Sequence, residues 1–386
     1  MLGMRPDGKL YIVELILTAG ICLFTVIQNS GVVSGLFYLT FIILALGLVL
    51  QLYNRPWLNE LHVLAAILIV LSFFHVAWQA DTWSFDYYKK LLMFYCTVLM
   101  VPFLDGIQIT GKHVSWILGI HLCIAALYPL AYFTQNDPGY LGWYLTFHYT
   151  NPNMAAMFLL HSVLYCAIAM YYVKKRISRM LILMLILMLV YFVYLTGARS
   201  CYIAMVFFAA LVFFNIGLKK EMAFSPGVSL LVLLLPLMAA LVYMAVVESG
   251  MLENMFSFLV REGKPLDARA DIWKEALEAF ARNPIFGDYR GIATGGSEHT
   301  QMHNTHLDVL ASYGLVPFVL FVAILYRGVL RVLPGVRTKF SRMALFAFFA
   351  IMIQGTFEAA LVAGGSGLYI MSFGFLFLAK YKDETE

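Results

Sequence analysis

Long apolar runs alternate with short polar breaks along almost the whole chain. The runs have the length that crosses a hydrocarbon core as a helix. They predict about twelve spans, at 10–28, 32–51, 61–79, 90–104, 114–133, 153–173, 180–196, 201–217, 228–247, 308–326, 343–362 and 366–380. One segment breaks the alternation. Residues 248–307 form a long polar insertion between the ninth and tenth spans. Within it, Trp273, Ala276, Leu277 and Phe280 recur at helical spacing and form one apolar stripe. That pattern predicts an amphipathic helix lying at the membrane interface. Asn283-Pro284 ends it, because a residue before proline is pushed out of helical geometry. A loop with Gly295-Gly296-Ser297 follows, and His303-Asn304-Thr305-His306-Leu307-Asp308 leads into the next span.

Composition agrees with the pattern. Hydrophobic residues make up 62% of the chain and charged residues only 12%, against about 25% charged in a soluble domain. The expected fold is an all-α integral membrane protein, one polytopic domain over residues 1–386, with no separate soluble domain. Charge then orients it. Lys174, Lys175, Arg176 and Arg179, and Arg327, Arg331, Arg337, Lys339 and Arg342, crowd short loops on one side. Basic short loops stay in the cytoplasm, so both termini are expected there and 248–307 outside. The first span has no small-residue cleavage site after it and reads as a retained helix. The net charge of +4 reflects those basic loops and gives no argument for nucleic acid. Cys22, Cys96, Cys123, Cys166 and Cys201 all lie in or beside apolar spans, which offers neither a disulfide framework nor thiolate metal spacing. No nucleotide-binding glycine motif is present.

Candidate chemistry gathers in the segments expected outside. Thr196-Gly197-Ala198-Arg199-Ser200 is a very short turn between two spans. Arg199 either snorkels to the headgroups or joins the free N–H groups of the following helix start in an anion site. Arg269 sits one turn before Trp273, near a helix N-terminus that favours an anion, though Asp267 or Asp271 could neutralise it. His303 and His306 are three apart, with His299, Glu298 and Asp308 close in sequence. They could share a metal, cap a helix, or serve as a proton acceptor near neutral pH. No HExxH pattern supports the metal reading, so none is expected. Asn151-Pro152-Asn153 has the look of a helix start. Glu358 is a carboxylate inside the eleventh span, functional by default and able to pair with an outer arginine.

These pieces, in this order, resemble the O-antigen ligase and O-antigen polymerase superfamily of bacterial membrane glycosyltransferases. The pieces are Asn151-Pro152-Asn153, Thr196-Gly197-Ala198-Arg199-Ser200, Arg269 with Trp273, Asn283-Pro284-Ile285-Phe286-Gly287, His303-Asn304 with Leu307, and Tyr313-Gly314-Leu315. They cover about residues 150–330; the N-terminal third matches in hydropathy alone. The resemblance implies metal-independent, inverting transfer of a glycan from undecaprenyl diphosphate to an acceptor at the outer face of the bacterial inner membrane. Carried over by position, Arg199 and Arg269 hold the leaving diphosphate and His303 is the general base. Asn153, Asn304, His306 and Glu358 are supporting candidates, and no cofactor is implied.

The acceptor is a growing glycan repeat in a polymerase and lipid A core in a ligase. The outer loop is modest in length and poor in extra cations, which leans to the polymerase. The rival from another class is a flippase or other transporter of lipid-linked oligosaccharide. Transporters carry polar residues around broken helices in related halves. Here the charges cluster at one face and no halves match, which favours an enzyme.

Overall fold

The computed structural model describes residues 42, 44–49, 51–52, 58–79, 85–149, 151–217, 225–249, 268–288, 292–294, 297–299, 302–359, 361 and 368–382. Their helices run in the order α1 (Glu60–Gln79), α2 (Phe85–Asp105), α3 (Gly111–Thr134), α4 (Pro152–Tyr172), α5 (Arg176–Thr196), α6 (Arg199–Val212), α7 (Pro226–Glu248), α8 (Ala268–Arg282), α9 (Thr305–Tyr313), α10 (Leu315–Val332), α11 (Lys339–Gln354) and α12 (Leu368–Ala379). Two short antiparallel hairpins, Tyr140–Leu141 with Tyr144–Leu145 and Ile292–Thr294 with Ser297–His299, are the strands among the described residues. Six of the helices are long and apolar enough to cross a membrane. The protein is an all-α membrane protein.

Local chemistry sets the helix ends. Asn151 caps α4 by accepting from Met154 N at 2.8 Å, and Pro152 follows at the first helical position. Gly197, with φ of 62°, closes α5 in the left-handed conformation that glycine tolerates. Ser225 with Pro226 opens α7, and Thr338 with Ser341 forms a reciprocal cap on α11.

Burial separates inner from peripheral helices. The apolar stretch of α4 is 78% buried, whereas that of α5 is 22% buried and faces outward. α11 is buried along its whole length, packed by α4, α6, α7 and α12. A helix hydrophobic all round belongs at such a centre. At one end of the bundle, Arg331 bonds Asp105 at 2.6 Å and Glu60 at 3.3 Å. At that end too, Lys380 donates to the carbonyls of Leu104, Asp105 and Ile107 at the close of α2. The other end holds the candidate site.

The predicted spans correspond closely to α1 to α5 and α7. The span 10–28 lies outside the described residues, and of 32–51 only the end, helical at 44–49 and 51, is described. The span 201–217 is α6 followed by a wide turn at Phe213–Gly217. The span 308–326 is not one helix. It breaks at Gly314, whose φ of 82° stops α9 and starts α10. The loop after α8 satisfies the break. Leu315 N donates to Pro284 O at 2.9 Å, Val316 N to Ile285 O at 3.3 Å, and Asp288 N to Ala311 O at 2.7 Å. Broken backbone at membrane depth survives only with such partners. The span 343–362 also ends early, at Gln354, and turns through residues 355–358.

The amphipathic helix is present as α8, and it stops at Arg282 before Asn283-Pro284. Its stripe differs from expectation. Trp273 and Ala276 are fully buried with Ala240, Met302, Leu307 and Ala311, so the stripe packs on α7 and α9 and not on lipid. A large apolar face gains as much from a protein neighbour as from an interface. The remainder of the insertion is described only in part, and residues 250–267, Asp267 included, lie outside the described residues.

Candidate active site

Four segments remote in sequence converge on one carboxylate. Glu358, in the turn after α11, is 7% exposed. Its Oε1 accepts from Arg269 Nη2 at 2.8 Å and from Asn153 Nδ2 at 2.9 Å. Its Oε2 stands 3.1 Å from His303 Nδ1. A carboxylate so enclosed is tolerable because each oxygen meets a polar partner and one partner is cationic.

Each partner is delivered by local structure. Asn151 takes the capping role at α4, which leaves the side chain of Asn153, one residue past Pro152, to reach Glu358. Arg269 occupies the first turn of α8. Trp273, one turn on, donates its indole N–H to Met302 O at 2.8 Å and so ties α8 to the residue before His303. His303 itself has φ of 48°. A non-glycine residue in the left-handed region carries strain of about 1–3 kcal/mol, held only where surroundings over-determine it.

Those surroundings are a buckle between two turns. Thr305 N donates to Gly355 O at 2.9 Å and Thr305 Oγ1 to Glu358 O at 3.2 Å. Asn304 Nδ2 donates to Thr356 O at 2.9 Å and to Pro236 O of α7 at 3.0 Å, while its Oδ1 caps α9 through His306 N and Leu307 N. Asn304 therefore fastens the turn that carries His303 to the turn that carries Glu358. Its side chain is committed to this framework.

Arg199 is half-buried at the first residue of α6. The Cys201 thiol, two residues on, lies within electrostatic reach of both Glu358 and Arg269, which puts the start of α6 beside the cluster. The guanidinium of Arg269 also lies 5.7 Å from the centre of the Phe357 ring. Its neutralising partner is Glu358; Asp271 is exposed. His306 goes elsewhere. It is fully buried, edge-on to Phe318 and Phe321 at 5.6 and 6.3 Å.

The residues weighed as metal ligands separate in the same way. His303 meets Glu358, His306 meets aromatic rings, and Asp308 pairs with Lys90 at 3.1 Å. Among the described residues no group of three or more His, Cys, Asp or Glu has the arrangement of a metal site.

Sequence reasoning placed Glu358 among accessories, whereas it is the hub. The available signal was its depth in an apolar run. Lys90, the partner of Asp308, also lies at the edge of an apolar run.

The arrangement offers an imidazole oriented through Nδ1 by a carboxylate, with a guanidinium alongside. Such a set can take a proton and hold an anion in one place.

No curated protein and no solved structure matches the chain. A family model described as O-antigen ligase matches residues 183–322, from α5 into α10. The matched segment encloses Arg199, Arg269, His303 and Asn304, whereas Asn153 and Glu358 lie outside it. Over that segment the match supports the resemblance to the O-antigen ligase and polymerase superfamily.

Proposed function

We propose that this protein transfers a glycan from undecaprenyl diphosphate to an acceptor hydroxyl at the extracytoplasmic face of the bacterial inner membrane, with inversion and without a metal. The observation that carries the reading is the meeting of His303 and Arg269 on the two oxygens of Glu358. With Nδ1–H donated to the carboxylate, His303 keeps Nε2 as the proton acceptor. The acceptor hydroxyl loses its proton to Nε2 as its oxygen bonds the anomeric carbon. The bond from that carbon to the diphosphate oxygen breaks in the same displacement, and the leaving lipid diphosphate takes both electrons. Arg199 and Arg269 hold the charge that develops there, which fixed guanidinium groups in a water-poor site stabilise strongly. The donor is already activated, so no nucleotide is required.

The outward assignment rests on charge. Lys174 to Arg179, Arg327 and Arg331 belong to the end opposite the cluster, and basic short loops remain cytoplasmic. Our first reading of the acceptor is a growing glycan repeat, the polymerase reaction. Transfer to lipid A core is the second reading, favoured by the description of the matching family.

The test is transfer by purified protein given a lipid diphosphate-linked glycan and each acceptor, with and without a chelator. Elongated glycan that forms in chelator supports the polymerase reading, and glycan on lipid A core supports the ligase reading. Movement of the donor across vesicles with no glycosyl product would make the protein a transporter and sink the proposal.

A further inference from the structure

One face of α2 grips both segments that carry the candidate site. Lys90, Phe94 and Thr97 fall at helical spacing on that face. Lys90 Nζ donates to Asp308 Oδ1 at 3.1 Å and to Ser312 Oγ at 3.0 Å. Phe94 stacks on Tyr313 with ring centres 4.4 Å apart and planes within 11°. Thr97 donates its hydroxyl to Leu361 O. Asp308, Ser312 and Tyr313 all belong to α9, whose N-terminus carries His303. Leu361 follows Glu358 by three residues.

The chemistry of this contact is costly. Asp308 is 1% exposed and Lys90 15%. Removing such charges from water is expensive, and a simple packing contact would serve stability as well or better. In some proteins a buried polar pair fixes one arrangement, and the arrangement within reach of this pair is that of α9. The bonds of Asn304 and Thr305 hold its start to the 355–358 turn, and Trp273 holds Met302 to α8. Near its end α9 is held through its backbone, by the bond from Asp288 N to Ala311 O, and α2 supplies the polar side-chain tethers along its length. Loss of the α2 tethers would let α9 turn about its own axis between these points and shift the turn holding His303 relative to Glu358.

We propose that Lys90, acting through Asp308 and seconded by Thr97, is a positioning residue that fixes His303 against Glu358. This rests on the functional reading above. It brings the N-terminal half of the chain, outside the matched family segment, into the catalytic geometry.

The test separates positioning from stability. Lys90→Met leaves the Asp308 carboxylate buried without its partner, and its melting temperature is expected to fall. Lys90→Met with Asp308→Asn removes both charges and is expected to restore the melting temperature. Its kcat should nevertheless remain lower by about 10- to 100-fold, with KM for the lipid-linked donor unchanged, as expected for a reacting group displaced by a fraction of an ångström to an ångström. Hydrogen exchange at the α9 amides should quicken in the same double variant. Thr97→Val, which keeps shape and folds without a buried charge, should show a smaller loss of kcat with the same KM. A double variant with wild-type kcat and wild-type α9 exchange, or Thr97→Val with wild-type kcat, overturns the proposal. Faster α9 exchange in a protein that transfers no glycan would leave the tether standing and refute the proposed reaction.

Discussion

His303 and Glu358 meet at 3.1 Å across the junction of two turns, one before α9 and one after α11. Neither helix alone positions the pair. The imidazole sits on a strained residue with φ of 48°, and the carboxylate is held by Asn153 and Arg269 on its other oxygen. The contact is a product of tertiary structure, and its first test is electrostatic.

Glu358→Gln keeps the shape of the side chain and loses the charge. The amide can present its N–H₂ to His303 and impose the wrong tautomer, or turn it to Arg269 and lose that bond. Transfer should drop by about 100-fold or more, within the range for loss of a general base or its orientation. Steady-state kinetics with a lipid diphosphate donor, beside a thermal melt, reads this directly. A Gln variant with unchanged kcat would show that the carboxylate is structural.

Arg269 and Arg199 should behave as a pair of anion holders. Arg269 bonds Glu358 with one terminal nitrogen, and the fork of a guanidinium can serve a second anion as well. A lysine at 269 is a point charge and cannot serve both. Arg269→Lys should therefore lose transfer nearly as fully as Arg269→Ala, and Arg199→Ala should weaken capture of the donor. Competition by undecaprenyl diphosphate, measured for each variant, reports that loss. Wild-type transfer by either alanine variant, correctly folded, removes that arginine from the mechanism.

The broken helix predicts a backbone-sensitive spot. A Cβ at Gly287 would lie 2.5 Å from Gly314 N and 2.6 Å from Ala311 O, and Gly287 has φ of 75°. Both neighbours are backbone and cannot move aside. Gly287→Ala should cost about 1–3 kcal/mol through strain and lost bonds across the break. The melting temperature in detergent should fall, whereas Ala at Gly142, which has open space around it and φ of 60°, pays only the local conformational cost. Equal stability of the two variants would show that the clamp between residues 284–288 and 311–316 contributes nothing.

How much of this was legible in the sequence depends on the range of the forces involved. Span lengths follow from apolar runs, so most helices lay close to expectation. Helix ends written in local chemistry were also legible, as at Asn151-Pro152 and Asn283-Pro284. The break at Gly314 was not, because an apolar run continues across it and its hydrogen bonds come from residues 284–288. The stripe of α8 was visible but its partner was not: periodicity reveals an apolar face and is silent on whether lipid or protein covers it. At the site, Arg269 and His303 stood out as polar residues near membrane helices. The central role of Glu358 and the pairing of Lys90 with Asp308 depend on contacts between segments far apart in the chain, which no local pattern records.

The two histidines on either side of Asn304 give the sharpest contrast. His303 has its Nδ1 on Glu358 and a third of its side chain exposed. His306 is fully buried against Phe318 and Phe321. Removing the first should affect chemistry, and removing the second should affect folding. His303→Ala is expected to cut kcat by about 100- to 10,000-fold, the usual loss for a general base, and to leave donor binding largely intact because the arginines remain. It deletes little buried surface and leaves the backbone strain at φ of 48° as it was, so its melting temperature should stay close to wild type. His306→Ala opens a cavity among aromatic rings and should lower the melting temperature by several degrees, on the order of 1–3 kcal/mol. Its kcat, measured on the fraction that remains folded, should fall far less than that of His303→Ala. Donor binding, turnover and thermal melts on both variants decide the matter. If His303→Ala binds donor poorly yet turns over normally once saturated, His303 is a binding group. If His306→Ala is the variant that loses turnover at full stability, the base has been assigned to the wrong histidine.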